Sequence, residues 1–235
     1  ARQLGLPATI CVSRLVPENK VEAIEALGAE ARRVGDSQDD AFAEVDRLVA
    51  SGMTAIPPFD DPLIVSGQGT IGLELMEDQP ALDRVIVGLS GGGLLGGIGA
   101  AVKAIRPATR VTGVSLARGA AMWESLQAGH PVNVEEVASL GDSLGGGIGL
   151  NNRYTLDLVR SVMDDHHQVS EAAIARAMVE LLATEKMLVE GAAAVGLAAL
   201  DEHALDIRGQ RVALIVSGNG VSLDTLDRAR ALAGR

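Results

Sequence analysis

Apolar and polar positions along the first quarter of the chain fall into short alternating blocks. The pattern predicts strands at residues 8–13, 31–34 and 53–56, with helices at 17–27 and 38–50. This strand–helix order is typical of parallel pairing through right-handed crossovers. A cluster of prolines and aspartates at residues 57–62 then interrupts the pattern, and we expect a domain boundary near it.

The alternation continues beyond this cluster. Strands are predicted at residues 84–89, 110–115, 168–169 and 212–216. Helices are predicted at residues 69–77, 120–128 and 191–200. Another helix is expected to follow the strand at 84–89 and to end at residue 105, and two more are expected between residues 155 and 188. The expected fold class is therefore α/β, with mostly parallel sheets flanked by helices. We expect two domains, a small one at residues 1–64 and a large one at 65–235.

One of these strands leads into a glycine-rich turn that begins a helix. Its residues are Ser90, Gly91, Gly92, Gly93 and Leu94, called the glycine loop below. Backbone N–H groups at a helix N-terminus attract anions, and glycine lets a phosphate approach the backbone closely. We interpret the loop as a phosphate-binding site. The alternative is a turn in which glycine serves only tight packing.

The same loop contains the spacing G-x-G-x-x-G at Gly91, Gly93 and Gly96, which raises the possibility of an NAD(P)-dependent oxidoreductase. A dinucleotide site needs an acidic residue about 20 positions later. The strand at 110–115 ends without a carboxylate, so this alternative is disfavoured.

A second candidate site follows the last predicted strand, where Ser217 begins a glycine-containing turn. Ligands of parallel α/β sheets bind at the carboxyl ends of strands, so Ser217 and the glycine loop are expected at one edge. A hydroxyl group can hydrogen-bond a neutral ring nitrogen, which suits a phosphorylated heterocycle. An ordinary polar turn is the alternative.

Composition narrows the classes of partner. The net charge of −11 disfavours nucleic acid and anionic membranes. Cys11 is the single cysteine and lies in an apolar run, so we expect a core thiol and no disulfide. With no signal peptide and no apolar segment of about 18 residues, a cytoplasmic location is expected.

Several further motifs resemble those of a known enzyme family. Together with the glycine loop and Ser217, residues 67–74 and 189–192 resemble the fold-type II pyridoxal-phosphate enzymes of the threonine/serine dehydratase family. Within that family the closest resemblance is to hydroxyectoine-utilisation dehydratases. It is carried by residues 13–20, 37–41 and 139–147.

The resemblance implies a cofactor, pyridoxal 5'-phosphate, and assigns its contacts. Residues 90–94 would hold the phosphate, and Ser217 would face the pyridine nitrogen. Glu190 would lie near the ring. The alternative is that its carboxylate has no part in the site and only stabilises the start of its helix through the helix dipole. Some relatives bind a divalent cation at positions that are Ser115 and Ala121 here, and neither residue is a ligand for a hard cation. We therefore expect no metal at that site.

The family forms its internal aldimine on a lysine in a Ser-Phe-Lys segment, which this chain lacks. Its lysines are Lys20, Lys103 and Lys186, and none lies in a comparable motif. No catalytic residue is therefore assigned here, and the aldimine lysine is expected upstream of Ala1. Residues 1–7 resemble the end of a helix, which also leads us to expect an N-terminally truncated fold. The histidines, His166 and His167 among them, are expected to be solvated.

The resemblance implies a dehydratase that removes the β-hydroxyl of an amino acid to give a 2-oxo acid and ammonia. Candidate substrates are serine, threonine, 3-hydroxyaspartate and a hydroxyectoine derivative. A racemase on the same scaffold and a non-catalytic fragment that binds pyridoxal phosphate are the alternatives. Relatives are commonly dimers or tetramers, so a homodimer or homotetramer is expected.

Overall fold

The computed structural model describes residues 1–202 and 205–235 and divides them into two compact units, Ala1–Ile56 and Pro57–Arg235. The first unit contains β1 (Thr9–Val12), α1 (Glu18–Ala26), β2 (Glu30–Arg33) and α2 (Gln38–Ala50). β1 and β2 pair in parallel, with Thr9 opposite Glu30. Ser37 caps α2 through the backbone N–H of Asp40, whose carboxylate returns the contact.

The strand predicted at residues 53–56 is wrong, because these residues form no strand in the structure. A strand exists only where a neighbour pairs with its backbone, and the sheet of this unit consists of β1 and β2 alone. Ile56 is 80% exposed, so the apolar run does not mark a core position.

The second unit carries the larger sheet. Its strands are β3 (Arg84–Gly88), β4 (Arg110–Leu116), β5 (Asp165–Val169) and β6 (Val212–Leu214). Its helices are α3 (Pro62–Asp78), α4 (Gly93–Ile105), α5 (Ala121–Ala128), α6 (Thr155–Val162), α7 (Glu171–Glu180), α8 (Gly191–Asp201) and α9 (Leu223–Leu232). A π-helical turn, Leu181–Glu185, continues α7.

All four strands run parallel, in the order β5-β4-β3-β6. The central strand β3 is apolar at successive positions, because each face of the sheet is covered by helices. Val85 and Val87 point into a cluster with residues of α4 and α6, whereas Ile86 joins the cluster formed with α7 and α8. The predicted α/β architecture with parallel sheets flanked by helices is confirmed.

α3 begins at Pro62, seven residues before the predicted start at Gly69. Asp61 caps it, with its carboxylate accepting hydrogen bonds from the N–H groups of Leu63 and Ile64. Gly69 instead lies where α3 crosses α4, against the carbonyl of Gly97. The expected division at 64/65 would therefore fall inside α3, whereas the two compact units are divided at 56/57.

Candidate active site

The glycine loop connects the end of β3 to the start of α4. Leu89 makes the last sheet contact, its N–H donating to the carbonyl of Val114 at 2.7 Å. Gly92 then turns the chain with a φ of +87°, a conformation that other residues rarely adopt. The N–H of Gly96 donates to the carbonyl of Gly92 at 2.8 Å, which begins the helical pattern.

The backbone of this loop fits an anion. Gly91, Gly92 and Gly93 are buried, yet within residues 1–202 and 205–235 no group accepts a hydrogen bond from their N–H groups or from that of Leu94. Buried N–H groups without an acceptor are rare in native proteins. At the N-terminus of α4 the helix dipole adds partial positive charge. A phosphate group would satisfy these donors, so the loop fits pyridoxal phosphate.

Tight packing also explains the glycines. A methyl group on Gly91 would overlap the ring of Phe59. One on Gly92 would lie 2.7 Å from Cε of Met122, and one on Gly93 would lie 3.0 Å from Cβ of Phe59. The two interpretations of the loop are therefore compatible, because the packing that requires glycine also fixes the direction of the free N–H groups.

β6 brings Ser217 to the same edge of the sheet as the loop. Ile86 of β3 lies opposite Leu214 of β6, and the N–H of Ile215 donates to the carbonyl of Ile86 at 3.0 Å. Neighbouring strands are about 4.8 Å apart, and the glycine loop and Ser217 follow Ile86 and Leu214 by only three or four residues. Ser217 is exposed there.

Glu190 precedes α8 and supports the turn that follows Ser217. Its N–H donates to the carbonyl of Gly218 at 2.9 Å, and its Oε1 accepts from the N–H of Gly220 at 2.8 Å. Its Oε2 accepts from Oγ of Ser143 at 3.3 Å. The side chain makes no capping bond to its own helix and instead accepts hydrogen bonds from Gly220 and Ser143.

The amines of the two lysines of the second unit donate hydrogen bonds to neighbouring groups. Nζ of Lys103 donates to the carboxylate of Asp164 and to the carbonyl of Pro107. It is ten residues into α4, about 15 Å along the helix from Gly93. Nζ of Lys186 bonds the carbonyl of Ala183. Both amines are thus held by other acceptors.

The expectation that His166 and His167 are solvated needs correction for His166. Both residues lie in β5, and Nε2 of His166 is 2.7 Å from Oγ of Ser115. The imidazole stacks on Trp123 with 4.0 Å between ring centroids. Burial, with a smaller effect of His167, lowers the pKa of His166 to about 4. Periodicity alone could not show this, because β5 is short and polar.

Ser115 is buried at 1% exposure and Ala121 begins α5. Across the described ranges no three His, Cys, Asp or Glu side chains form a cluster suited to a metal ion. Nor does any described helix have the length and apolar composition needed to cross a bilayer.

Sequence reasoning missed three residues of this region. Phe59 and Asp60 belong to the segment interpreted only as a boundary, and Ser143 belongs to residues 139–147, which carry the family resemblance without an assigned role at the site. Their spacing gives no sign of a site, since their contacts join segments that are distant along the chain.

Comparison with known proteins identifies relatives along nearly the whole chain. The chain is 50% identical to a putative threonine dehydratase of Sinorhizobium fredii over 224 residues, which cover 95% of this chain and 68% of that protein. It is 36% identical to an L-threonine ammonia-lyase of Thermotoga maritima, covering 97% of this chain and 56% of that one. The chain thus spans little more than half to two thirds of these relatives.

Solved structures of similar proteins have the same fold as this chain. Maize serine racemase superposes with a TM-score of 0.85 at 32% identity, covering 98% of this chain and 71% of that chain. The processed form of threonine deaminase isoform 2 from Solanum lycopersicum gives 0.85 at 28%, covering 100% and 68%. Residues 1–218 also match the family described as pyridoxal-phosphate dependent enzyme. The chain therefore belongs to the pyridoxal-phosphate dependent enzymes, with threonine dehydratases and ammonia-lyases among its relatives.

Proposed function

We propose that this protein is a pyridoxal-phosphate-dependent dehydratase, a carbon–oxygen lyase that removes the β-hydroxyl of a hydroxy amino acid and releases a 2-oxo acid and ammonia. The observation that carries the proposal is the set of buried N–H groups of the glycine loop, which lack acceptors within the described ranges. Relatives named threonine dehydratase and L-threonine ammonia-lyase support this class of reaction.

In this proposal the residues of the chain bind and orient the cofactor. The N–H groups of residues 90–94 would hold its phosphate, and the hydroxyl of Ser217 would hydrogen-bond the pyridine nitrogen. Because a hydroxyl group does not stabilise a protonated ring as a carboxylate does, Ser217 would leave that nitrogen neutral. Glu190 fixes the turn that carries Ser217. When bound, pyridoxal phosphate supplies an electron sink for the bonds broken at the substrate's α-carbon.

The amine that binds the cofactor's aldehyde is not assigned to Lys103 or Lys186, whose Nζ atoms are held by Asp164 and by the carbonyl of Ala183. We propose that this lysine lies outside residues 1–235, as the family resemblance implies. Reduction of the full-length protein with borohydride in the presence of pyridoxal phosphate tests this. Intact and peptide masses are expected to show one adduct outside these 235 residues; an adduct on Lys103 or Lys186 would contradict the assignment.

Product analysis tests the reaction. The full-length enzyme is incubated with L-threonine, L-serine, 3-hydroxyaspartate and hydroxyectoine derivatives, and 2-oxo acid and ammonia are measured together with the chirality of the remaining substrate. Equal amounts of oxo acid and ammonia are expected. Inverted substrate without ammonia would favour a racemase, the activity named for the maize structure. The same panel tests the hydroxyectoine resemblance, and sedimentation tests the expected dimer or tetramer.

A further inference from the structure

The segment at residues 57–61, just before α3, holds the glycine loop from one side. The ring of Phe59 lies against Gly91, where a methyl group would overlap it. The Phe59 backbone is also close to Gly93, since a Cβ on that glycine would lie 3.1 Å from its Cα. Phe59 thus forms one wall of a slot that contains the glycine loop.

The N-terminus of α6 forms a second wall of this slot. A Cβ on Gly92 would lie 2.9 Å from Cγ2 of Val159 and 3.1 Å from Cβ of Thr155. Both of these α6 residues are fully buried. The loop is therefore packed against residues of two separate segments.

Asp60 joins the two walls. Its Oδ2 accepts from the N–H of Arg153 at 2.7 Å, and its Oδ1 accepts from the N–H groups of Tyr154 and Thr155, each at 2.9 Å. The hydroxyl of Thr155 donates to the same Oδ1 at 3.3 Å. A carboxylate that accepts several backbone N–H groups at a helix start makes strong, charge-assisted bonds. Asp60, which follows Phe59 in the chain, thereby holds Thr155, the first residue of α6.

We propose that Phe59 and Asp60 are positioning residues for the cofactor's phosphate, acting through the glycine loop. Phe59 packs against the loop, and Asp60 sets the distance between Phe59 and α6. Binding geometry must be held to about 0.5 Å to be productive, so a loosened slot spreads the directions of the loop N–H groups. This inference rests on the proposed function, because it needs the loop to bind phosphate.

The neighbouring Asp61 offers a matched control. It is also an aspartate that caps a helix, with its Oδ1 accepting from the N–H groups of Leu63 and Ile64 at 2.8 and 3.3 Å. Its helix is α3, so it makes no link between Phe59 and α6. Removing either carboxylate removes a helix cap, but only removal of Asp60 opens the slot.

The test compares two ligands in the full-length protein: pyridoxal phosphate, and pyridoxal, which lacks the phosphate. For Asp60→Ala we expect the affinity for pyridoxal phosphate to fall about tenfold while that for pyridoxal changes by less than about twofold. Asp60→Asn keeps acceptor oxygen and is expected to recover part of the loss. Phe59→Leu should also lower the ratio of the affinity for pyridoxal phosphate to the affinity for pyridoxal. The ³¹P chemical shift of the bound cofactor should move in these variants.

Asp61→Ala is expected to leave both the affinity ratio and the ³¹P shift unchanged. Met178→Leu, a buried substitution in the other apolar cluster, should lower the melting temperature without changing either. An equal loss for both ligands in Asp60→Ala, an unchanged ratio, or the same change in Asp61→Ala would overturn the positioning role. If the unsubstituted protein binds pyridoxal as tightly as pyridoxal phosphate, the phosphate-binding function itself fails instead.

Discussion

Gly91 has no space for a side chain, because the Phe59 ring occupies the position that a Cβ would take. We expect Gly91→Ala to lower the free energy of unfolding by about 1–3 kcal/mol, as is typical of overpacking, and to weaken cofactor retention. Gly67 of α3 is the control: a Cβ there would meet nothing within 4 Å, so Gly67→Ala should be neutral or stabilising by up to about 1 kcal/mol. Urea unfolding and dialysis of the holoenzyme measure both effects. Equal behaviour of the two variants would contradict the packing argument.

Glu190 contacts the turn that follows Ser217, so in the proposed site it would act on the cofactor ring rather than on the phosphate. Glu190→Ala removes the acceptor of the Gly220 N–H and of the Ser143 hydroxyl, so the Ser217 turn loses this side-chain support while the backbone bond to Gly218 remains. We expect pyridoxal and pyridoxal phosphate to lose affinity by the same factor, about tenfold, with a changed absorption maximum of the bound cofactor. Ser143→Ala, which removes only the 3.3 Å contact, should have a smaller effect. A loss confined to pyridoxal phosphate would contradict this role.

His166 should make stability depend on pH. Burial lowers its pKa in the folded protein to about 4, against about 6.5 when unfolded, with His167 lowering it further and Asp165 raising it. Between these values the unfolded chain binds a proton that the folded chain does not, so stability present above about pH 6.5 is lost as the pH falls towards about 4. His166→Gln should show a smaller loss of melting temperature from about pH 7 to about pH 4.5. His166→Gln leaves every carboxylate in place, so an identical pH profile would count against the assignment.

At the scale of elements, one buried ion pair ties the beginnings of three strands. Arg84 of β3, with its side chain 7% exposed, bonds both carboxylate oxygens of Asp165 on β5 and the hydroxyl of Thr112 on β4. This network lies at the amino ends of the strands, opposite the glycine loop. It therefore concerns the sheet and not the cofactor.

Asp165→Asn would leave the buried Arg84 guanidinium without its counter-charge. We expect the free energy of unfolding to fall by about 3–5 kcal/mol, because an uncompensated buried charge is costly. Asp157→Asn is the matched control, since its carboxylate is 79% exposed in an ion pair with Arg160 and should cost at most about 1 kcal/mol. Urea denaturation compares them. A similar small loss in both would show that the Arg84 pair is solvated.

Most elements of the second unit could be predicted from sequence because their signals are local. β3 is a β-branched run, and α8 is a stretch of small apolar residues that starts after Glu190. The start of α3 could not be predicted, because Gly67 and Gly69 suggest a helix boundary when the packing of α3 against α4 is unknown. The glycine loop and the edge shared with Ser217 follow from strand ends. The slot formed by Phe59 and α6 does not, since it joins segments that are 93 positions apart along the chain.

At the scale of the whole molecule, the two units differ in the size of their cores. Val21 and Ala41 are the buried apolar residues of the first unit, whereas two large apolar clusters enclose the sheet of the second. Apolar burial is the main source of stability, so the first unit should open more easily. Native-state hydrogen exchange is expected to give lower opening free energies in β1 and β2 than in β3 and β4. Equal protection would mean that the units unfold together.

The parallel pairing of β6 with β3 has a consequence for how the protein is made. Asp83 and Arg211, joined where these strands begin, are 128 positions apart. Chain entropy delays the closure of so long a loop, and contacts of this kind slow folding. During synthesis the glycine loop leaves the ribosome long before Ser217 does. In the proposed site, the end that contains Ser217 is thus completed only when the last strand pairs with β3.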